Sequence, residues 1–307
     1  MGRLEQLRVV DPVLTTLARG YTNAQLVADA LFPFVPMEKE GGKIPVFGKE
    51  AFKIYPTERA IRADSNRINP DGRSTVDVVL TEHDLEYPID YREAGEDVFP
   101  TEEHGTRVVT EGIRLRHEKL SADLAQSATN FPSGSKLELS GTAQFTHADS
   151  DPVAVVETAK EAIRGKIGRR PNTMVIGAAS YRVLKSHPKL LERIKYSQLG
   201  VVTVELMKII FGVENISVGE AIYVNAGGTF IDIWGDNVVL AWSTITPAQN
   251  RTFYEPSFGY TLQKKGMPEV DKYVAQGGKL SMVRNTDIFL PKIVGAEAGY
   301  LIENTNA

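Results

Sequence analysis

The side chains best suited to chemistry in this sequence are its five histidines: His83, His104, His117, His147 and His187. None has a second histidine two, three or four positions on, so no pair can chelate a metal from one helix face. The stretch "THADSD" (146–151) offers imidazole and carboxylates. Its Asp151, however, stands before Pro152 and an apolar-periodic run, which is the place of a helix cap. "SHPKLLERIKYSQLG" (186–200) gathers a His, two Lys, an Arg, a Glu and a Tyr in fifteen positions. Acid–base catalysis needs two such groups aimed into one concave site, and no spacing among the carboxylates singles out a pair. His187 precedes Pro188, the expected first residue of a helix, and reads as a surface turn residue. The absence of cysteine excludes disulfides, thiolate metal sites and a Cys nucleophile. "GGK" (41–43) lacks the spacing of a phosphate loop, "NAGG" (225–228) is a turn between strands, and "PSGSK" (132–136) reads as a hairpin turn. No catalytic, cofactor-binding or metal-binding residue is nominated.

Charge carries more information than any motif. The 307 residues sum to a formal charge of −4, against the basic balance of a dedicated nucleic-acid module. Within that total the signs separate. Residues 43–73 hold seven basic groups (Lys43, Lys49, Lys53, Arg59, Arg62, Arg67, Arg73) against four acidic ones. Residues 74–103 hold ten acidic groups against Arg92 alone. Two solvated faces would give this pattern, and so would a basic loop of one copy lying on the acidic segment of another. Head-to-tail contacts of that kind close into rings or continue into arrays.

The elements that must position these charges follow from periodicity and punctuation. "TNAQLVADALF" (22–32) is spaced as a helix behind Thr22 or Asn23 as cap, and "PFVP" then forces extension. "GGKIPVFG" (41–48) and "STVDVVLTEHDLEYPIDY" (74–91) read as strands flanking a polar excursion of about 25 residues. Residues 99–130 form the longest helical run, with Thr101 as N-cap, Glu102 and Glu103 at its positive end, and a stripe of Val109, Ile113, Leu120, Leu124 and Ala128. "TNFPSGSKLELSGTAQF" (129–145) reads as a turn and hairpin. A helix over 151–168 runs from Asp151 to Gly165 or Gly168, a buried strand covers 171–177, and Thr203 and Gly212 bracket another helix. Strands follow to the end. The mixed order predicts an α+β fold. No apolar run approaches the roughly 20 residues that span a bilayer, and "MGRLEQLRVVDP" lacks the plan of a signal peptide. A soluble, intracellular product is expected.

Five segments, taken in order, resemble the major capsid proteins of tailed bacteriophages. They are "ADALFPFVPMEKEGGKIPVFGKEAF" (28–52), "EYPIDYREAGEDVFPTEEHGTRVV" (86–109), the run 169–224 from "RRPNTMVIG" to "GEAIYV", "EPSFGYTLQKKG" (255–266) and "PKIVGAEAGYLI" (291–302). The resemblance implies an N-terminal arm at 1–42, an extended loop at 43–85, a peripheral domain with a spine helix at 86–150, an axial domain at 151–250, and C-terminal strands at 251–307 returning to the peripheral domain. It implies a structural subunit, not an enzyme, that self-assembles into hexamers and pentamers of an icosahedral head enclosing double-stranded DNA. The DNA contact would be non-specific, and assembly would occur in the host cytoplasm. Arm-like sequence begins almost at Met1, so scaffolding is expected from a separate protein, with a portal, and a decoration protein where the shell uses one, as further partners. No membrane is involved. The charge split then gains a use. Arg59, Arg62, Arg67 and Arg73 on the loop would meet Glu93, Glu96, Asp97, Glu102 and Glu103 on the spine region of a neighbour. "SHPKLLERIKYSQLG" would be a short axial helix and the loop after it, with Leu190, Leu191 and Ile194 packed inward. Two alternatives stand beside this: a bacterial nanocompartment shell of the same fold, and a soluble two-domain enzyme with an unrecognised carboxylate site.

Overall fold

The structure, a computed structural model, describes residues 9–10, 26–46, 53–62, 64–67, 75–92, 101–194, 202–248, 250–275 and 277–307. After β1 (Val9–Val10) comes α1 (Ala28–Leu31), a single turn and so too short to be stable alone. It exists because Ala28, Leu31 and the following Phe32 are fully buried. Of the expected helix over 22–32, the described part, which begins at residue 26, is helical over Ala28–Leu31, and the expected caps Thr22 and Asn23 lie outside the described residues. Chain extension at Pro33 and Pro36 gives β2 (Phe34–Met37). β3 (Gly41–Pro45) and β4 (Thr75–Val79) pair antiparallel from Gly41↔Val79 to Pro45↔Thr75. β5 (Thr81–Asp90) follows after Leu80, so the single strand expected over 74–91 is broken there. α2 (Thr101–Ala125) has 25 residues and is about 37 Å long.

β6 (Lys136–Glu138) does not close the expected hairpin. It pairs parallel with the last strand, β15, at Gly299–Glu303. Local turn chemistry at "PSGSK" was legible, but the partner sits some 165 residues away. α3 (Pro152–Ile167) starts where its punctuation says: Asp151 accepts a hydrogen bond from the Ala154 amide, and Gly168 ends it at φ 69°. β7 (Thr173–Gly177), α4 (Ala178–Ser186), α5 (Pro188–Ile194) and α6 (Val204–Phe211) follow, the last between Thr203 and Gly212. β8 (Asn215–Gly219), then the hairpin of β9 (Ile222–Val224) and β10 (Phe230–Asp232) around "NAGG", and β11 (Val238–Ala241) come next. β12 (Gly259–Lys264), β13 (Glu269–Val274) and the 14-residue β14 (Leu280–Ile293) precede β15. Mixed helices and sheets confirm the α+β class.

Two sheets organise the chain. In the first, ordered β6–β15–β11–β7–β8, the central β7 and β11 are buried at every position. Strands covered on both faces read as continuous apolar runs. Met174, Ile176, Val238, Leu240 and Ile302 point under α3 to α6, where Val156, Ile163, Leu184, Leu190 and Phe211 meet them. Their neighbours Val175, Val239, Ala241 and Leu301 point the other way, against α1, Trp234, Phe258 and the end of α2. In the second sheet β14 has β5 along one edge and β12 then β13 along the other, with β2 and β1 outside them.

α2 lies across β5 and β14. It comes close at Gly105, against the Tyr87 ring, while Gly112 faces only the tip of Leu85. A Cβ at Gly105 would stand 2.9 Å from Tyr87, and one at Gly112 would stand 2.7 Å from Leu85. The expected apolar stripe holds at Val109 and Ile113, but Leu120 and Leu124 are only half-buried and Ala128 lies beyond the helix. The buried face also carries Thr106, Thr110, His117, Glu118 and Ser121. Thr110, His117 and Glu118 bond beyond the helix, while Thr106 and Ser121 bond within it, so hydrophobic spacing alone did not reveal this face.

Candidate inter-subunit surface

The excursion between β3 and β4 is held at its base and bare beyond it. Ile44, Val78 and Leu80 bury against Val35, Tyr260, Leu262 and Ile288. Past that anchor, every described residue from 53 to 67 is exposed except the half-buried Tyr55. Ile54 is 99% exposed and Ile61 is 94% exposed. Two isoleucines fully in water give up several kcal/mol of transfer free energy, roughly 1.5–3 kcal/mol each, which a covering surface recovers. The loop keeps a shape of its own. Asn66 Nδ2 donates to the carbonyls of Pro56 (2.9 Å) and Glu58 (3.0 Å), and the chain turns at Arg62 with φ 68°, a left-handed conformation uncommon for arginine.

Of the nine expected contact residues, Arg59, Arg62 and Arg67 are exposed on this loop. Arg73, Glu93, Glu96 and Asp97 lie outside the described residues. Glu102 and Glu103 are exposed at the start of α2. Glu102 is engaged within its own chain, in an ion pair with Lys272 on β13. The acidic surface continues along β5, where Glu86 accepts from Tyr273 Oη at 2.8 Å and lies 3.7 Å from Arg284. Arg284 grips Asp271 through two parallel bonds, Nε to Oδ1 at 3.0 Å and Nη2 to Oδ2 at 2.7 Å. The expected acidic segment is thus partly neutralised by its own sheet, a pairing set by strand register and invisible to a count along the chain.

The histidines do not converge. His83 stacks on Phe289, His104 meets Tyr87 edge-on, and His147 lies by Asp149. His117 is buried, with Nε2 2.7 Å from Thr261 Oγ1, and burial depresses it to about pKa 3. His187 corrects the expectation of a surface turn. It is 2% exposed, and its carbonyl accepts from the Leu190 and Leu191 amides while Nε2 meets Ser150 Oγ at 3.0 Å. It forms the corner between α4 and α5 and pins it to the 147–150 turn, a distant partner that no local signal announces. Burial lowers its pKa. Leu190 packs inward as expected and Leu191 packs against the same core; the side chain of Ile194 lies outside the described residues. Among the described residues no group of three His, Cys, Asp or Glu is placed to hold a metal ion, and no helix is long and apolar enough to cross a membrane.

One buried network escaped the sequence altogether. Glu118, 1% exposed on α2, accepts from the Val27 and Ala28 amides at 2.9 Å each and from Trp234 Nε1 at 2.6 Å. It caps α1 from about 90 residues away and ties that turn to the first sheet. Burial raises its carboxyl pKa, an effect the three donors oppose.

The long helix lies on the β14 sheet, the other sheet is covered on both faces, and the loop between β3 and β4 is exposed. The chain superposes on a phage-related protein from Bordetella bronchiseptica RB50 with TM-score 0.82 and 37% identity, over 97% of this chain and 98% of that one. The mature capsid of bacteriophage PhiM1 gives TM-score 0.58 at 12% identity, over 94% and 89%, a likeness of fold alone. The family model described as phage major capsid protein E matches residues 31–279. The major capsid protein of Burkholderia phage BcepMu is 60% identical over 307 residues, the full length of both chains. The chain belongs to the phage major capsid protein E family and is a structural subunit of a phage head. The nanocompartment alternative has no better support.

Proposed function

We propose that the chain builds hexamers and pentamers of an icosahedral head by laying its 43–85 excursion across the acidic β5–α2 region of the next copy. The observation that carries this reading is the loop itself: self-stapled, basic, and exposing Ile54 and Ile61 almost completely. Hydrophobic cover supplies affinity, while Arg59, Arg62 and Arg67 set register against Glu103 and its neighbours. In this reading residues 1–42 are the arm, α2 is the spine of the peripheral domain (86–150), 151–250 form most of the axial domain, and 251–307 return to the periphery. β6 and β15 join the axial strands in one sheet, which supports a rigid connection between the two domains. The shell encloses double-stranded DNA through weak, non-specific inner-face contacts. It assembles in the host cytoplasm around a separate scaffolding protein and a portal, with a decoration protein outside where the shell uses one. No catalysis is required of it.

Reversing charge at Arg59, Arg62 and Arg67 together tests the contact. All three side chains are exposed, so the variant is expected to fold, with an unchanged circular-dichroism spectrum, and to form no capsomers by sedimentation and negative-stain microscopy. Normal shells from the triple variant would sink the proposed pairing.

A further inference from the structure

Beneath α2, away from the loop, a cavity of about 250 Å³ opens between the helix and β14. Its floor is Thr110, Ile113, Asn285 and Asp287, each at most 5% exposed. Its rim is Phe34, Arg114, Gln263 and Pro268, all partly exposed. Asn285 and Asp287 stand two apart on one strand and so share a face.

The hydrogen-bond inventory of this cavity is lopsided. Thr110 spends its hydroxyl hydrogen on the Thr106 carbonyl (2.7 Å), so its oxygen must accept from Asn285 Nδ2 (3.0 Å). That fixes the Asn285 amide orientation, since the flipped amide would set two acceptors face to face. Asn285 Oδ1 is thereby left buried with no partner. Asp287 accepts from one side-chain donor, Gln263 Nε2, at 2.9 and 3.0 Å. A carboxylate has about four acceptor sites, so acceptor capacity remains. Arg114, the cation at the rim, is already directed to Asp29 at 3.5 Å and lies over the Phe34 ring. The Arg114 charge acts on Asp287 as well, so the two carboxylates share one guanidinium and the cavity keeps one net negative charge.

We propose that this cavity binds a single ammonium or guanidinium group. Such a group brings several N–H donors and one positive charge to a site that presents open acceptors and one negative charge. The cavity volume suits the head group and a short methylene stem. Two sources share that chemistry: a Lys or Arg side chain of a second copy, and a free small amine.

Methylguanidine and putrescine titrated into the full-length chain, followed by isothermal titration calorimetry, test the site. Saturable binding is expected, weakened about tenfold or more by Asp287→Asn, the effect of losing a hydrogen bond to a charged group. An unchanged circular-dichroism spectrum and an undiminished urea midpoint for Asp287→Asn separate lost binding from lost fold. No saturable binding by the wild type, or equal binding by wild type and Asp287→Asn, overturns the proposal and leaves a water-filled cavity. Assembled shells then fix the source. If they no longer take up methylguanidine, a neighbour's side chain occupies the site; if they still do, the ligand is a free amine, and the site stands in either case.

Discussion

Asp287 offers a stability test whose sign and size follow from its surroundings. It is 5% exposed under α2, and burial outweighs its hydrogen bonds from Gln263 and the Ile288 amide, pushing its carboxyl from the ordinary 3.8 up to about 6. The folded chain therefore holds this proton longer than the unfolded chain does. Between about pH 4 and pH 6 the native state binds more protons, so stability falls as pH rises through that window. About two pH units at 1.36 kcal/mol each make the full cost about 3 kcal/mol above the folded value. Asparagine has the shape of the neutral carboxyl and cannot ionise. Asp287→Asn is expected to gain on the wild type by about 1 kcal/mol at about pH 4.5 and about 3 kcal/mol at about pH 7.5. Urea unfolding of the unassembled chain at both pH values reads the gap directly. A gap that does not widen with pH, or an asparagine variant less stable at the higher pH, refutes the reasoning.

Other perturbations follow from single contacts. Glu118→Gln can keep the Oε1 acceptor for Val27 and Trp234 but turns its amide donor toward the Ala28 N–H, so it should cost about 1–3 kcal/mol in the same unfolding assay. Gly219→Ala would place a Cβ 2.2 Å from the ring of Trp234, which is 1% exposed and held by Glu118. Its overpacking should cost roughly 1–3 kcal/mol. Gly112→Ala meets only the flexible tip of Leu85, which is 43% exposed, so helix propensity should leave it neutral or more stable by up to about 1 kcal/mol. Arg284→Met should lose about 1.5–3 kcal/mol by removing the bidentate partner of Asp271, itself 1% exposed.

What the sequence disclosed and what it hid divide by distance along the chain. Asp151, Pro152 and Gly168 bracket α3, Thr203 and Gly212 bracket α6, and "NAGG" closes the β9–β10 hairpin, because each signal acts within a few residues of the bond it makes. The excursion between β3 and β4 was legible for the same reason: a polar stretch with no periodicity stands between two strand patterns. Pairing across the fold was not legible. β6 finds β15, Glu118 caps α1, and His187 seats against Ser150, each through a partner tens to hundreds of residues away. The polar face of α2 was hidden because Thr110, His117 and Glu118 look solvent-seeking until the seam that satisfies them is in view. For the proposed loop contact, Arg59, Arg62 and Arg67 are exposed as the charge pattern along the chain suggested. The acidic half was only partly legible, since Lys272 and Arg284 approach Glu102 and Glu86 from strands far ahead in the sequence.

The central claim is that this chain forms a closed shell through an element its own fold leaves bare. The most direct test is electron microscopy of particles from cells expressing the full-length chain, alone and with the proposed separate scaffolding protein. The account predicts closed shells or capsomers of five and six, with density for residues 53–67 lying on the β5–α2 face of the adjacent copy. Particles in which that loop folds back on its own subunit, or a chain that stays a monomer in both expressions, would contradict it.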